Sequence, residues 1–287
     1  MGLNSQVITT SDGVGVRLSS LRTSGQESLL MLHGVGRAGR TFSSLAMMFP
    51  ERFHVRALDF RGHGSSGRAN VAYRVIDYVR DAVAAIDALP APVILYGHSL
   101  GALVSAAAAA ERPERITAVI LEDPPSAEFW ARLGETQYHP VFQAMRRWAG
   151  RLDLTISELA DGFGNEIVKS WSDGRQLRIR DVRDSVSLRF SAACIRELDP
   201  AVMDSILQEH WLSDYDYTRV FSSIRCPLLL LRGNPDMGGM LSEENARQLQ
   251  QLTPGMIRLD FPSAGHLLHW QVRSEVAGQV SAFLESL

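Results

Sequence analysis

The clearest indication of the fold is the segment Val93-Ile94-Leu95-Tyr96-Gly97-His98-Ser99-Leu100-Gly101-Ala102. It reads as a buried strand, a Gly-x-Ser-x-Gly turn and the start of an alanine-rich helix. A serine on so sharp a turn has a strained backbone, and the small residues Gly97 and Gly101 let strand and helix approach closely. An isolated motif of this kind would be an ordinary loop serine. Its position between a strand and a helix predicts that Ser99 is a nucleophile.

Apolar, β-branched segments alternate with segments of helical periodicity along much of the chain. This alternation predicts a mostly parallel sheet with helices on both faces. The predicted strands are 28–33, 54–59, 93–96, 116–122, 227–232 and 256–261, and the clearest helices are 75–89, 100–111 and 243–252. Two earlier segments, 7–10 and 14–21, are separated by Ser-Asp-Gly and predict a leading hairpin.

The alternation stops between residues 126 and 223. This segment holds four of the five tryptophans, many arginines and no clear strand, and its periodicity is helical, as in Phe142-x-x-Met145-x-x-Trp148. We therefore expect a helical cap at 126–223, inserted into a core formed by residues 1–125 and 224–287.

The composition argues against several classes of partner. The formal net charge is −3, and no basic run could follow a nucleic-acid backbone. The two cysteines, Cys194 and Cys226, have neither a metal-ligand spacing nor the density of a disulfide scaffold. The N-terminal residues lack a signal-peptide pattern, and the longest uncharged apolar run, 102–110, is too short to span a membrane. We expect a soluble, cytoplasmic protein that acts on a small molecule without a metal or cofactor.

Three further motifs, together with the Ser99 turn, resemble the α/β-hydrolase family in type and order. They are Met-Leu-His-Gly-Val-Gly at 31–36, Leu-Asp-Phe-Arg-Gly-His-Gly-Ser-Ser at 58–66 and Phe-Pro-Ser-Ala-Gly-His-Leu-Leu-His-Trp at 261–270. The resemblance implies an α/β fold with an eight-stranded, mostly parallel sheet and a cap after the sixth strand. It also implies that the backbone N–H groups of Val35 and Leu100 form the oxyanion hole.

Two histidines in the last motif are candidates for the general base. His266 follows a strand and the small pair Ala264-Gly265, and a neutral imidazole can exchange protons near neutral pH. His269 lies three residues later, where we expect it to pack or to cap a helix. The order serine, acid, histidine typical of the family favours His266.

The acid that orients this histidine has two candidates. Asp236 occupies the turn after the predicted strand 227–232, from which most family members supply the acid, but Met237-Gly238-Gly239 departs from the usual continuation. Asp123 ends the strand 116–122 and is followed by two prolines that stiffen the exit. Either aspartate could instead cap a turn. Both alternatives remain open.

The cap is expected to shape the substrate pocket. We expect Trp130, Trp148 and Trp211 to bind substrate, although aromatic residues at helical spacing are more often core residues. The stretch 175–190 holds five arginines, which could bind a substrate carboxylate, but interleaved aspartates are also typical of a solvated, mixed-charge face.

These features predict hydrolysis of a small ester, lactone or amide through an acyl-enzyme. A carbon–carbon bond hydrolase or an acyltransferase could use the same triad. A ligand-binding receptor of the same fold is the non-enzymatic alternative, and it predicts a damaged triad. The substrate and the oligomeric state do not follow from the sequence.

Overall fold

An eight-stranded sheet forms the centre of the protein in the computed structural model, which describes residues 4–70 and 73–287. Its strands are β1 (Ser5–Thr9), β2 (Gly15–Arg22), β3 (Glu27–Leu32), β4 (Phe53–Asp59), β5 (Val93–His98), β6 (Ile116–Glu122), β9 (Leu228–Gly233) and β10 (Ile257–Phe261), and a separate pair is β7 (Ile167–Ser170) and β8 (Gln176–Arg178). The order is β1-β2-β4-β3-β5-β6-β9-β10. β2 is antiparallel to both β1 and β4, and the other neighbours are parallel. The predicted fold class is confirmed.

Helices connect the strands and cover the sheet. They are α1 (Ser43–Ala46), α2 (Val75–Asp87), α3 (Leu100–Glu111), α4 (Ala127–Ala131), α5 (Tyr138–Trp148), α6 (Ile156–Asn165), α7 (Ile179–Val182), α8 (Ser185–Arg196), α9 (Pro200–Leu207), α10 (Tyr217–Ser223), α11 (Glu243–Leu252), α12 (Leu268–Gln271) and α13 (Arg273–Glu285). Within the described ranges, no helix has both the length and the apolar character that crossing a bilayer requires. Residues 1–3, where the segment tested for a signal peptide begins, lie outside the described residues.

Two hydrophobic clusters lie on opposite faces of the sheet. Leu30 and Leu32 of β3 join the cluster that includes α2 and α3, whereas Leu29 and Met31 join the cluster that includes α13. Successive side chains of a strand point to opposite faces, so a strand covered on both faces must be apolar at every position. This explains the unbroken apolar runs in the sequence.

The segment 126–223 leaves the sheet after β6 and returns at β9. It comprises α4 to α10 and the antiparallel hairpin of β7 and β8, which the sequence did not indicate. Its buried residues Phe142 and Phe163 belong to the same hydrophobic cluster as one face of the sheet. The division into a core and a cap at 126–223 stays a prediction.

The parallel strands bring the motif residues to one edge of the sheet. Val35 follows β3, Ser99 follows β5, Asp123 follows β6, and His266 lies in the turn after β10. The carboxyl ends of parallel strands lie on the same side of a sheet, which is where open α/β sheets bind their ligands.

Candidate active site

Ser99 occupies a turn in which the positions two residues before and two residues after it have no room for a side chain. Its φ is 55° and its ψ is −116°, a conformation that is strained for a residue other than glycine. A Cβ atom on Gly101 would lie 1.9 Å from the Leu32 carbonyl oxygen, and one on Gly97 would lie 2.1 Å from the Gly101 carbonyl oxygen. The two glycines therefore allow the contact of β5 with α3 that presents Ser99, 4% exposed, to a cavity.

His266 and Asp123 form a hydrogen-bonded pair. His266 Nδ1 lies 2.7 Å from Asp123 Oδ2. Asp123 is fully buried, and its carboxylate also accepts hydrogen bonds from the backbone N–H groups of Gly233 (3.1 Å) and Met240 (2.8 Å). Because an ionised carboxylate only accepts hydrogen bonds, it holds the His266 proton on Nδ1 and leaves Nε2 able to accept another.

Asp236 has a different environment. It lies in a 3₁₀ helix, Pro235–Met237, with an exposed side chain, and its backbone N–H donates to Asn234 Oδ1 at 3.0 Å. Among the described residues, its carboxylate makes no hydrogen bond to His266. The geometry therefore brings together His266 and Asp123, and leaves Asp236 on the wall of the cavity.

The loop that carries Val35 runs against the Ser99 turn. A Cβ atom on Gly34 would lie 2.8 Å from His98 Nδ1 and 3.1 Å from Ser99 Cβ. Within the described residues, the backbone N–H groups of Val35 and Leu100 donate to no hydrogen-bond acceptor. They are available to an oxygen atom that develops negative charge beside Ser99.

Two buried histidines hold this loop. His33 Nδ1 donates to the Gly34 carbonyl (2.8 Å) and His33 Nε2 accepts from the Phe60 N–H (3.1 Å). His63 Nδ1 donates to the Arg61 carbonyl (3.0 Å) and His63 Nε2 accepts from the Gly36 N–H (3.1 Å). Burial lowers the pKa of His33 to about 4 and, together with the charge of His33, that of His63 to about 3. Both rings are therefore neutral links between the loops after β3 and β4.

A second carboxylate–histidine pair, which was not predicted from the sequence, lies beside the first. Glu122 Oε1 accepts hydrogen bonds from His269 Nδ1 (2.8 Å) and the His269 backbone N–H (3.0 Å), and Tyr96 donates to the other oxygen. Burial acts to raise the pKa of Glu122, but His269 and the hydrogen bonds lower it overall. His269 therefore packs in the interior, as expected. Two patterns in the sequence could have predicted this second pair, namely the adjacent acids Glu122-Asp123 and the spacing His266-x-x-His269.

A cavity of about 890 Å³ opens over Ser99. Its lining residues come from the core loops and from residues 135–187, including Val35, Arg37, Ser99, Tyr138, Phe142, Met145, Trp171, Arg183, His266 and Trp270. The predicted cap residues thus supply much of its wall.

The expected tryptophan contacts need correction. Trp130, Trp148 and Trp211 are not among the residues that line the cavity over Ser99. Trp130 and Trp211 pack against each other, with ring centroids 4.3 Å apart, and Trp148 Nε1 donates to Glu166 Oε1 at 2.7 Å. These three tryptophans bury apolar surface within the segment 126–223. The tryptophans that line the cavity are Trp171 and Trp270.

Only one of the five arginines at 175–190 lines the cavity, namely Arg183. Arg175 pairs with Asp173 (2.8 Å) and Arg180 with Asp161 (3.6 Å). Arg175 and Arg180 therefore belong to a face of mixed charge, as interleaved aspartates suggest. Arg183 differs from them because it lines the cavity.

Comparison with known proteins gives matches over most of the chain. A family model described as the alpha/beta hydrolase fold matches residues 27–271. The chain is 25% identical over 264 residues to (E)-2-((N-methylformamido)methylene)succinate hydrolase of Acinetobacter baylyi, covering 91% of each protein. It is 36% identical over 96 residues to 2-(acetamidomethylene)succinate hydrolase of Mesorhizobium japonicum, a match to 33% of this chain and 34% of that protein.

Solved structures share the architecture. A thermophilic esterase from Thermogutta terrifontis, with malate bound, superposes with a TM-score of 0.71 at 19% identity, over 99% of this chain and 98% of that chain. At this identity the likeness concerns the fold.

Proposed function

Because the chain belongs to the alpha/beta hydrolase fold family, we propose that it cleaves a small ester, lactone or amide through an acyl-enzyme formed on Ser99. The protein is a hydrolase, in keeping with its family and with the activities for which its relatives are named. The bond cleaved and the roles of the individual residues belong to the proposal. The main support for this proposal is the hydrogen-bonded pair of His266 and the buried Asp123, at the sheet edge that presents Ser99. His266 Nδ1 lies 2.7 Å from Asp123 Oδ2.

The proposed reaction proceeds in two steps on the same residues. In the first, Ser99 Oγ attacks the acyl carbon while His266 Nε2 takes its proton and then gives it to the leaving alcohol or amine. The N–H groups of Val35 and Leu100 stabilise the oxyanion. In the second step, His266 removes a proton from water as the water oxygen attacks the acyl carbon, and then gives this proton to Ser99 Oγ as the bond to the acyl group breaks and the acid leaves. Asp123 keeps the imidazole oriented and stabilises its protonated form.

We propose Asp123 rather than Asp236 as the acid. Asp123 is buried, makes three hydrogen bonds and lies against Nδ1 of His266, whereas Asp236 is exposed and makes no contact of this kind among the described residues. We also propose that residues 126–223 form the cap that closes the cavity and limits the access of water. Cytoplasmic location and the lack of a nucleic-acid partner remain expectations from the sequence.

The test is turnover of p-nitrophenyl esters, lactones and N-acyl compounds by the wild-type protein and by Ser99→Ala. We expect hydrolysis of at least one class by the wild-type protein and a loss of about 10⁶-fold in kcat for Ser99→Ala. Transfer to an added alcohol in preference to water would favour the acyltransferase alternative, and cleavage restricted to diketones would favour the carbon–carbon hydrolase. Absence of all turnover would favour a receptor.

A further inference from the structure

Two arginines in the Ser99 cavity have no acidic partner. Arg37 and Arg183 both line the cavity, and within residues 4–70 and 73–287 neither forms an ion pair with a carboxylate. Arg37 is 5% exposed, and Arg183 is partly buried. A buried charge without a partner is costly, so such groups are normally paired.

Arg61, another buried arginine, has carboxylate partners. Arg61 is completely buried and forms ion pairs with Asp81 (2.7 Å) and Asp12 (2.6 Å). Arg37 and Arg183 instead meet at one neutral hydroxyl group. Ser191 Oγ of α8 lies 3.1 Å from an Arg37 nitrogen and 3.2 Å from an Arg183 nitrogen.

The two guanidinium groups thus repel each other in a poorly solvated place. Burial lowers the pKa of Arg183 to about 10, with a further contribution from the charge of Arg37, and burial also lowers the pKa of Arg37. Because a guanidinium group stays protonated at neutral pH, each arginine keeps its positive charge although burial removes part of its hydration. An anion between them would restore the missing interaction.

The acidic residues that line the cavity do not supply this anion. Glu135 pairs with Arg132 at 2.7 Å, and Asp184 accepts from the Ser187 N–H at 2.9 Å, where it caps α8. Asp236 is exposed. The Arg37 guanidinium group also makes a cation–π contact with Trp270, whose ring centroid is 5.6 Å away.

Arg37 also has a fixed place relative to the reacting groups. It lies two residues after Val35, in the loop that runs against Ser99, and Arg183 faces the same cavity from the segment before α8. A substrate whose acyl carbon lies at Ser99 can therefore extend a second group toward both guanidinium groups.

We propose that Arg37 and Arg183 bind a carboxylate of the substrate, so that the molecule cleaved at Ser99 carries a free carboxylate besides the ester, lactone or amide bond. This inference rests on the proposed function for the position of the cleaved bond. The arginines determine specificity and take no part in proton transfer.

The first experiment compares two esters of one diacid, monomethyl glutarate and dimethyl glutarate. We expect the wild-type protein to prefer the charged ester, and expect Arg37→Gln and Arg183→Gln each to reduce the charged-to-neutral ratio of kcat/KM about 10- to 100-fold, mainly through KM. Arg183→Lys should recover part of the preference. Arg189→Gln, a control on the exposed face of α8, should leave the ratio unchanged.

A thermal unfolding measurement separates binding from a structural role. If the arginines serve a ligand, removing an unpaired charge in Arg37→Gln should leave the Tm unchanged or higher in the absence of ligand. Equal losses for both esters together with a lower Tm would overturn the proposal.

A binding experiment makes the inference independent of turnover. Ser99→Ala is titrated with glutarate and, separately, with succinate and adipate by calorimetry, alone and combined with Arg183→Gln. Binding that Arg183→Gln weakens supports the carboxylate site even if no ester is hydrolysed, in which case the proposed function alone fails. Ester hydrolysis without preference for the charged ester, or the absence of binding by all three diacids, overturns the carboxylate site.

Discussion

At the scale of single residues, the packing around Gly34 shows how closely the loop after β3 approaches Ser99. A Cβ atom there would lie 2.8 Å from His98 Nδ1, which is closer than such atoms can approach. His98 in turn donates from Nε2 to the His266 carbonyl at 2.9 Å. Displacement of the His98 ring would therefore disturb the backbone of His266 as well as the Ser99 turn.

We therefore expect Gly34→Ala to lower kcat/KM for the best ester about 10²-fold, since a shift of about 1 Å in a catalytic group has this effect. The matched control is Gly278→Ala in α13, where nothing lies within 4 Å of the added Cβ atom. It should leave kcat/KM unchanged and raise stability by about 0.5–1 kcal/mol. Full activity of Gly34→Ala would show that the loop does not contact the Ser99 turn.

The two aspartates show what residue patterns can and cannot determine. Both follow strands that end at the same edge, so their positions in the sequence qualify both equally. The geometry distinguishes them because the Asp123 carboxylate is enclosed by the Gly233 and Met240 N–H groups, which come from a distant part of the chain. A long-range contact of this kind leaves no local pattern. Arg183 likewise stands in a stretch of mixed charge, and only tertiary structure separates it from the paired arginines beside it.

At the scale of secondary-structure elements, periodicity located the elements of the main sheet well. The predicted strand 116–122 and helices 100–111 and 243–252 have the observed bounds. The hairpin of β7 and β8 could not be predicted from periodicity, because its strands have only four and three residues. These residues include Lys169, Ser170 and Gln176, and they show no alternation of apolar and polar positions.

The neutral histidines between the loops after β3 and β4 predict acid sensitivity. Because the folded pKa values of His33 and His63 lie below the ordinary value of 6.5, the unfolded chain binds protons that the folded protein does not. Stability should fall as the pH drops below about 6.5, by up to about 3 kcal/mol per pH unit for the two together, until the folded pKa values are reached.

Urea unfolding between about pH 7 and pH 4 measures this slope, with His63→Gln expected to reduce it by about one proton. The exposed His210 gives the control His210→Gln, which should leave the slope unchanged. A slope that His63→Gln leaves intact would exclude His63 as its source.

At the scale of the whole molecule, one hydrophobic cluster joins the sheet to the segment 126–223. Phe163 of α6 is fully buried in the cluster that also contains α2 and α3, so the segment and the sheet share apolar packing. Four of the five tryptophans belong to this segment, and their fluorescence reports mainly on it.

We accordingly expect one cooperative transition, with tryptophan fluorescence and far-ultraviolet circular dichroism coinciding. Phe163→Ala should lower the free energy of unfolding by about 3–5 kcal/mol in both signals. Val186→Ala, at a position that is 73% exposed, is the control and should change it by less than about 0.5 kcal/mol. Fluorescence that changes at lower urea than circular dichroism would show that the segment unfolds separately.

The proposed mechanism depends on a Ser99 nucleophile activated by the Asp123–His266 pair. The rate of Ser99 phosphonylation by a fluorophosphonate, followed by intact mass, measures this activation. We predict a single modification at Ser99, equal rates for the wild-type protein and Asp236→Asn, and a rate about 10⁴-fold lower for Asp123→Asn. No modification of the folded wild-type protein, or a loss of rate confined to Asp236→Asn, would contradict this mechanism.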